Sequence, residues 1–128
     1  MVLDVDKFKI INDTYGHNIG DVVLKEIVQA ISHITRDSDK LIRWGGDEFV
    51  GIFYGLSEEN AIILGEKILF EVANLKISVG DNSISPSVSI GFSYFNKNDQ
   101  EYTDALKRSD EALYKSKVQG RNKANIIV

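Results

Sequence analysis

One stretch decides how this chain folds: LIRWGGDEFVGIFY, residues 41–54. Two short apolar runs, 41–44 and 49–54, flank the pair Gly45-Gly46. Short apolar runs of this kind are typical of strands, and Gly-Gly between them indicates a hairpin, because primed turns need positive φ. The stretch therefore predicts a β-hairpin that presents two adjacent carboxylates, Asp47 and Glu48, where its second strand begins.

The apolar pattern outside the hairpin predicts three helices and several short strands. Helical spacing indicates helices over 20–34, from Ser57 onward and over 102–118, and residues 1–4, 77–79, 88–94 and 126–128 indicate strands. The order strand, helix, hairpin, helix, strand, helix, strand resembles a ferredoxin-like α+β sandwich, with helices packed on a mainly antiparallel sheet. In that topology the first strand runs antiparallel beside the second hairpin strand, which brings Asp4 next to Asp47 and Glu48.

Length, composition and charge exclude several classes of protein. The 128 residues, 43% of them hydrophobic and 27% charged, suit one globular domain over 1–128 with a core of its own. The absence of cysteine excludes disulfides and thiolate metal sites. A net charge of −4 argues against a general nucleic-acid binder, and no apolar run approaches the length of a membrane span. Asp4, Asp6 and Lys7 interrupt the N-terminus, so no signal peptide is expected.

Three carboxylates at one end of a sheet need an explanation. Like charges at close range repel, and desolvating each of them costs free energy. A divalent cation relieves both effects, and a site with only oxygen ligands favours Mg²⁺ or Mn²⁺ over zinc. The alternative for Asp47 and Glu48 is a solvated acidic rim around the turn. The expected position of Asp4 opposite them favours the metal site.

The hairpin and four further motifs resemble the GGDEF family, the diguanylate cyclases. The motifs are RWGGDEF at 43–49, LDVDKFKIIND at 3–13, YGHNIGD at 15–21, Ser89-Ile90-Gly91, and YKSKVQGRN at 114–122. They occur in the family's order, span nearly the whole chain, and make 3–13 the family's opening strand and loop. The resemblance implies the fold shared by nucleotidyl cyclases and polymerase palms. It also implies synthesis of cyclic di-GMP from two GTP molecules, with release of two pyrophosphates.

The resemblance implies a metal site and a nucleotide site. Asp4, Glu48 and the carbonyl of Val5 would hold Mg²⁺ or Mn²⁺, two ions per active site, with Asp47 as a further ligand or as the base for the attacking 3′-hydroxyl. Asn12 and Asp21 would read guanine. The other nucleotide contacts implied are Lys7 and Phe8 through their backbone amides, the side chains of Lys9, His17, Lys117 and Arg121, and the open backbone of Gly45 and Gly46.

Several of these residues also have a purely structural explanation. The helix dipole alone favours Asp21 in a first turn, and it favours Lys117 and Arg121 at a helix C-terminus. A lone histidine such as His17 is more often structural than functional. The presence of Lys9, far away in sequence but within the same set of motifs, favours phosphate binding.

A candidate inhibitory site precedes the hairpin. Residues 36–39, Arg-Asp-Ser-Asp, resemble the family's RxxD motif, where the product cyclic di-GMP binds. Arg36 would bind a phosphate or a guanine edge, and Asp39 would accept hydrogen bonds from guanine. Lys67 occupies the place where family members often add an arginine, and a lysine lacks the fork that strengthens such binding. The alternative is a polar loop that leads into a strand.

The resemblance carries expectations about assembly. Family domains begin with a further helical segment, which this chain lacks, and a sensor domain usually precedes that segment. Two GTP-loaded domains must face each other, so a homodimer is needed for catalysis, and we expect the isolated chain to have little activity. We expect a cytoplasmic domain without membrane contact of its own, although a full-length protein can be membrane-anchored.

The sequence leaves two other functions to be weighed against the cyclase. The first is a non-catalytic module that binds GTP or cyclic di-GMP, and the retained signature acids argue for the enzyme instead. The second is a different nucleotide cyclase or a polymerase-type palm, against which Asp21 and Gly45-Gly46 argue.

Overall fold

Seven strands and four helices make up the fold in a computed structural model that describes residues 1–128. The strands are β1 (Val2–Val5), β2 (Lys40–Arg43), β3 (Glu48–Ile52), β4 (Ile77–Val79), β5 (Asn82–Ile84), β6 (Val88–Ser93) and β7 (Ala124–Ile127). The helices are α1 (Phe8–Tyr15), α2 (His17–Ile34), α3 (Glu58–Ala73) and α4 (Tyr102–Val118).

Five of the strands form one sheet in the order β2-β3-β1-β6-β7, and β4 pairs with β5 separately. β1 lies at the centre and runs antiparallel to both β3 and β6, whereas β6 and β7 are parallel. The mainly antiparallel α+β sandwich is therefore confirmed, together with the pairing of β1 with the second hairpin strand. In that pairing Asp4 lies opposite Glu48.

The two faces of the sheet are covered differently. On one face, branched side chains of the sheet pack with those of α2 and α3 into one core, and Leu3, Ile27, Ile31, Ile68 and Ile90 are almost fully buried there. On the other face α4 packs mainly on β6 and β7, through the small or apolar residues Ala105, Ser109, Ala112, Leu113 and Ser116. These two layers hold β1 in place from both sides, so the end of β1 is a rigid platform.

The helix at 58–73 begins as the sequence predicts. The hydroxyl of Ser57 accepts a hydrogen bond from the backbone of Asn60 at 3.2 Å, and Glu58 and Glu59 occupy the first turn. Both features stabilise a helix N-terminus. The predicted apolar face is buried, at Ala61, Gly65, Ile68 and Val72.

The prediction of a primed glycine turn is wrong. Four residues, 44–47, separate β2 from β3, and neither Gly45 nor Gly46 has a positive φ. The side chain of Arg43 holds the loop instead: its Nε lies 3.1 Å from the carbonyl oxygen of Gly45, and its Nη2 lies 2.7 Å from that of Gly46. A side chain that satisfies both carbonyls removes the need for the compact two-residue turn.

The expectation of a loop after the first strand is also wrong, because residues 8–15 form α1. Phe8 is buried, and Ile11 and Tyr15 pack partly against the core, so the helix has an apolar stripe at positions 8, 11 and 15. Other differences are smaller: α2 begins at His17 rather than Gly20, β7 begins at Ala124 rather than Ile126, and β5 was not predicted.

Gly91 allows α4 to lie close to β6. A Cβ at this position would lie 2.1 Å from the carbonyl oxygen of Ser109 and 2.3 Å from the backbone nitrogen of Leu113. Because these are backbone atoms of a packed helix, α4 would have to move away from the sheet. We expect Gly91→Ala to lower the free energy of unfolding by about 1–3 kcal/mol in urea denaturation. Gly46→Ala is the control, since its Cβ would meet open space, and equal losses in both variants would contradict this account.

Candidate active site

The acidic end of the sheet is built by the pairing of β1 with β3. Asp4 lies opposite Glu48, and the backbone N–H of Val5 donates to the carbonyl oxygen of Asp47 at 3.1 Å. The pairing brings the three predicted carboxylates to one end of the sheet. Asp47 and Glu48 are half-buried, and the side chain of Asp4 is 16% exposed.

The two carboxylate oxygens of Asp4 have different surroundings. Oδ2 accepts a hydrogen bond from the ammonium of Lys117, and Oδ1 is buried without any hydrogen-bond partner. An unpaired buried carboxylate oxygen is costly, and ligation of a cation would relieve that cost. The donor chemistry therefore fits Mg²⁺ or Mn²⁺. In the structure itself, Lys117 supplies the positive charge, and no three acidic side chains are gathered into a set that could hold a metal ion.

Negative charge exceeds positive charge here, and the pKa values reflect it. Burial, and after it the neighbouring carboxylate of Asp4, raises the pKa of Asp47 to about 6. Burial also raises the pKa of Glu48, with added contributions from Asp110 and Asp4, and the charge of Lys117 opposes these effects. Each of these carboxylates holds its proton more strongly than it would in water, so the site gains from any added positive charge.

The raised pKa of Asp47 predicts a pH dependence of stability. An acid whose pKa rises on folding, here from 3.8 to about 6, stabilises the fold at low pH, and that contribution is lost as the pH rises through about 6. We expect Asp47→Asn to gain stability over the unaltered protein between about pH 4 and pH 8. Solvent screening of this half-exposed group limits the gain to about 1 kcal/mol.

Urea denaturation in metal-free buffer at several pH values measures this effect. Asp81→Asn, which removes the same charge from an exposed turn, is the control. Parallel stability curves for Asp47→Asn and the unaltered protein would contradict the raised pKa.

The turn from β1 into α1 exposes free backbone donors. Lys7 adopts a left-handed conformation, with φ 55° and ψ 33°, and no side chain caps α1. Its carbonyl accepts from the N–H groups of Ile10 and Ile11 at 3.1 and 3.3 Å, whereas the N–H groups of Phe8 and Lys9 donate to nothing. Free N–H groups at a helix N-terminus after a left-handed residue form a cradle that suits a phosphate. The side chains of Lys7 and Lys9 are exposed beside it.

Asn12 and Asp21, the predicted guanine readers, lie around Gly20. The Oδ1 atom of Asn12 is buried without a partner, and a Cβ on Gly20 would lie 1.9 Å from it. Gly20 is therefore needed for the Asn12 side chain to take this position. Asp21 is exposed and lines a cavity of about 600 Å³ between α2 and the hairpin, together with Leu24, Leu41, Arg43 and Phe49. His17 is exposed at the start of α2 and makes no side-chain hydrogen bond, so the structure gives it no defined role.

The C-terminal end of α4 brings the remaining basic residues toward β1. The helix ends as predicted at Gly120, which has φ 113°. The N–H groups of Gly120 and Arg121 donate to the carbonyls of Lys117 and Ser116 at 3.3 and 3.0 Å, which is a Schellman motif. Lys117 reaches Asp4, whereas the side chain of Arg121 is exposed in the following loop.

Two acidic residues near this site were not singled out from the sequence. Asp110 lies two helical turns before Lys117, and burial raises its pKa. The spacing of seven residues from Lys117 places Asp110 on the same side of α4, and this spacing could have indicated from the sequence that Asp110 lies near the site. Asp6 is buried, and its carboxylate accepts hydrogen bonds from Ser87, Ser89 and Asn122. Nothing in the sequence marked Asp6 as buried, because an acidic residue just after a strand is normally exposed.

The candidate inhibitory residues Arg36 and Asp39 bind each other. The Arg36 Nη2 atom lies 3.0 Å from Oδ1 of Asp39 and 2.8 Å from the carbonyl oxygen of Tyr54. Burial raises the pKa of Asp39, but the hydrogen bonds and the charge of Arg36 outweigh it and hold that pKa below its usual value. Lys67 forms no hydrogen bond or salt bridge with this pair. It is exposed on α3 and lines a cavity of about 680 Å³ with Ile34, Ile63, Glu66, Phe70 and Glu71.

Comparison with known families and structures identifies the domain. The family model described as "Diguanylate cyclase, GGDEF domain" matches residues 1–123. The chain belongs to the GGDEF family. Solved GGDEF structures share its fold. The chain superposes with a TM-score of 0.92 and 35% identity on diguanylate cyclase SiaD from Pseudomonas aeruginosa, in complex with its activator SiaC, covering 98% of this chain and 48% of that one. The chain also superposes with a TM-score of 0.92 and 31% identity on the GGDEF domain of DgcB from Caulobacter crescentus, in complex with c-di-GMP, covering 98% of this chain and 74% of that one.

Curated relatives of this GGDEF chain are named diguanylate cyclases. Diguanylate cyclase A from Treponema denticola is 37% identical over 126 residues, which are 98% of this chain and 34% of the relative. Diguanylate cyclase DosC from Escherichia coli is 39% identical over 127 residues, which are 98% of this chain and 27% of the relative. The chain thus spans about a third or less of these relatives. None of its helices combines the length and hydropathy that a membrane crossing requires.

Proposed function

We propose that this chain is the catalytic domain of a diguanylate cyclase, which condenses two GTP molecules into cyclic di-GMP and releases two pyrophosphates. One observation carries the proposal: three carboxylates, a lysine and a cradle of free backbone N–H groups lie at the same end of the sheet, where β1 ends. Acidic groups that can hold divalent cations, placed beside donors for phosphate, are what phosphoryl transfer requires. The family assignment and the diguanylate cyclases among the relatives support the same reaction.

The metal site of this proposal consists of Asp4, Asp47, Glu48 and the carbonyl of Val5, with two Mg²⁺ or Mn²⁺ ions per active site. Bound there, the ions supply positive charge to the phosphate oxygens. The unpaired Oδ1 of Asp4 and the raised pKa values of Asp47 and Glu48 support this assignment, because each is relieved by a cation.

The triphosphate is held at the β1–α1 turn. The N–H groups of Lys7 and Phe8, together with that of Lys9, donate to its oxygens, and the ammonium groups of Lys9 and Lys117, with the guanidinium of Arg121, neutralise its charge. Gly45 and Gly46 allow the phosphates to approach the backbone of the hairpin loop. A Cβ at either position would point away from the protein, into the space that the phosphates occupy in this proposal.

Two domains are needed for the reaction, because each holds one GTP. The 3′-oxygen of one nucleotide attacks the α-phosphorus of the other, and the bond from that phosphorus to the oxygen of the leaving pyrophosphate breaks. Asp47 is either a further metal ligand or the base that takes the proton of the 3′-hydroxyl. Catalysis then consists mostly of positioning the two nucleotides and neutralising their charge.

A direct assay tests the proposed reaction. We expect cyclic di-GMP to form when the protein is incubated with GTP and Mg²⁺, and we expect its rate to rise steeply with protein concentration because two domains must meet. Glu48→Gln should reduce the rate by a factor of about 100 or more, since it removes a charge that holds the cation. Product is measured by chromatography, with the exposed Glu59→Gln as the matched control.

The outcome of this assay separates the enzyme from its alternative. GTP binding without any product, at high concentration and in an artificially dimerised form, would show that the domain is a non-catalytic binding module. Equal rates in Glu48→Gln and the unaltered protein would exclude Glu48 as a metal ligand.

Guanine is recognised by Asn12 and Asp21. The Asp21 carboxylate accepts from the N1–H and the exocyclic amine of guanine, and the unpaired Asn12 side chain binds another atom of the base. Adenine has no N1–H and no amine at the same place, so ATP leaves the desolvated carboxylate without a partner. Discrimination of this kind is large, because a bound base covers the Asp21 carboxylate, which is exposed in the structure, and only guanine replaces the hydrogen bonds that the carboxylate then loses to water.

The guanine assignment predicts the effect of Asp21→Ala. A hydrogen bond to a charged group contributes about 1.5–3 kcal/mol, so GTP affinity should fall by a factor of about 10 to 100 while ATP affinity changes little. Titration calorimetry measures both affinities. Asp13→Ala removes a carboxylate from an exposed position on α1 and is the control. Equal binding of GTP and ATP by the unaltered protein would exclude the assignment.

We place the inhibitory product site at Arg36 and Asp39. Their pairing in the structure supports the site, because it presents a guanidinium and a nearly buried carboxylate side by side, with side-chain exposures of 57% and 5%. On binding, a phosphate or a guanine edge of cyclic di-GMP would replace Asp39 as the partner of Arg36, and a guanine would donate to Asp39 in place of Arg36. Lys67, with Glu66 and Glu71 beside it, would contribute only weakly.

The product site predicts three results in calorimetry with cyclic di-GMP. Arg36→Ala should weaken binding by a factor of about 10 or more, since it removes a charge-assisted hydrogen bond. Lys67→Arg should tighten binding, because arginine adds a fork. Lys40→Ala, which removes a nearby exposed positive charge, should have little effect. Unchanged binding in Arg36→Ala would place the product elsewhere.

The remaining proposals concern the full-length protein. We propose that the domain acts in the cytoplasm, where GTP is available, and that an upstream sensor domain controls its dimerisation. The short span of the chain relative to its curated relatives supports further domains in proteins of this kind.

A further inference from the structure

Asp6 is a buried carboxylate to which the proposed function assigns no role. It is 8% exposed, and its Oδ1 accepts from the hydroxyl of Ser89 at 2.6 Å. Its Oδ2 accepts from the hydroxyl of Ser87 at 2.7 Å and from the backbone N–H of Asn122 at 3.0 Å. Asp6 forms no salt bridge. Burying a carboxylate among neutral donors alone costs folding free energy, and an apolar side chain at this position would stabilise the core more.

The hydrogen bonds of Asp6 connect segments that are far apart in sequence. Asp6 immediately follows β1, and its backbone N–H also donates to the carbonyl of Ser87 at 2.9 Å. Ser87 immediately precedes β6 and Ser89 lies within it, whereas Asn122 lies in the loop between α4 and β7. One side chain thus joins the central strand, its neighbour and the loop that carries Arg121.

Backbone strain in this protein is concentrated around Asp6. The only non-glycine residues with positive φ are Lys7, Arg121 and Asn122, at 55°, 64° and 48°. Lys7 follows Asp6 directly, Asn122 donates to its carboxylate, and Arg121 precedes Asn122. Left-handed backbone is unfavourable for residues with a Cβ, and it persists only where the surroundings impose it. The bond from Asn122 to Asp6 is one such constraint on the loop.

Both strained segments carry the proposed triphosphate ligands. The left-handed Lys7 leaves the N–H groups of Phe8 and Lys9 free, and the strained loop places Arg121 one turn beyond Lys117. We propose that Asp6 is a positioning residue that fixes these two groups relative to each other, through the backbone of Lys7 and Asn122, without touching the nucleotide. This inference rests on the proposed function.

The test compares two ligands that share guanine and differ in their phosphates. One is the non-reactive GTP analogue with an α,β-methylene bridge, and the other is GMP, which lacks the two outer phosphates. Calorimetry in Mg²⁺ gives both affinities. Asp6→Ala should weaken the GTP analogue about tenfold, as expected for a lost hydrogen bond to a charged group, and should leave GMP within about twofold. Where Asp6→Ala does not fold, the isosteric Asp6→Leu takes its place.

The conservative variant Asp6→Asn distinguishes positioning from a direct electrostatic role. Its amide oxygen still accepts from Asn122, and its amide nitrogen donates to the hydroxyl of Ser89, so we expect the ratio of the two affinities to be restored to within about threefold. If the negative charge itself served the ligands, Asp6→Asn would behave like Asp6→Ala, which would overturn the proposal.

Ser109→Ala is the control for general destabilisation. It removes a buried hydroxyl of α4 that lies 2.6 Å from the hydroxyl of Ser93, outside the proposed site. We expect it to lower stability and leave the ratio unchanged. An equal loss of both ligands in Asp6→Ala, or no loss of either, would overturn the proposal. Failure of the unaltered protein to bind the GTP analogue would instead overturn the proposed function, and this inference with it.

Discussion

The antiparallel pairing of β1 with β3 is the constraint on which the rest of the site depends. β1 is hydrogen-bonded on both sides, and Leu3 and Val5 are buried in the core. A slip of one residue would turn these side chains to the opposite face and bring Asp4 into the core, so the register is strongly fixed. The positions of the three carboxylates at the end of β1 are therefore determined by apolar packing on one side of the strand. Their mutual repulsion is tolerated because it is weaker than the cost of that slip.

Opposing requirements of stability and function meet at the end of β1. Carboxylates that repel each other and an unpaired oxygen on Asp4 weaken the fold, whereas the ion pair with Lys117 and the Schellman motif strengthen it. Sites that bind charged ligands commonly retain such unfavourable features, because the ligand relieves them. Lys117 is central to this balance, since the same ammonium that neutralises Asp4 is proposed to bind phosphate. Lys117 already neutralises part of the negative charge of Asp4. When cations and a nucleotide bind, the cations would take over that role and Lys117 would be free to bind phosphate.

The fold could be predicted from the sequence to the extent that it follows from apolar spacing. The hairpin strands, α3 with its Ser57 cap and α4 depend on such local patterns, whereas the neighbourhood of Asp4 and Glu48 follows from the sheet topology that the order of elements resembles. The turn at Gly45-Gly46 was not predicted, because its shape depends on the Arg43 side chain rather than on the glycines. The helix α1 was missed because its apolar stripe is only three residues long and a motif resemblance suggested a loop.

Tertiary contacts explain what remained unpredicted in the site. The bond between Lys117 and Asp4 joins residues 113 positions apart, and the bond from Asn122 to Asp6 joins residues 116 apart. No local pattern encodes either of them. Burial of Asp6 follows only once β6 and the α4–β7 loop have closed over it. Residues that act through such contacts are harder to find from a sequence than those that face a ligand.

The hairpin physically joins the two candidate ligand sites. Asp39 immediately precedes β2, and Arg36 also binds the carbonyl of Tyr54 just beyond β3, so this pair holds the open end of the hairpin. Asp47 and Glu48 lie at its other end, across strands of only four and five residues. A ligand that binds Arg36 must compete with Asp39 and Tyr54 for the same N–H donors. Its net binding free energy is therefore reduced by the loss of the hydrogen bonds that close the hairpin. The affinity of the candidate inhibitory site and the order of the turn that carries Asp47 and Glu48 are consequently linked through one short element.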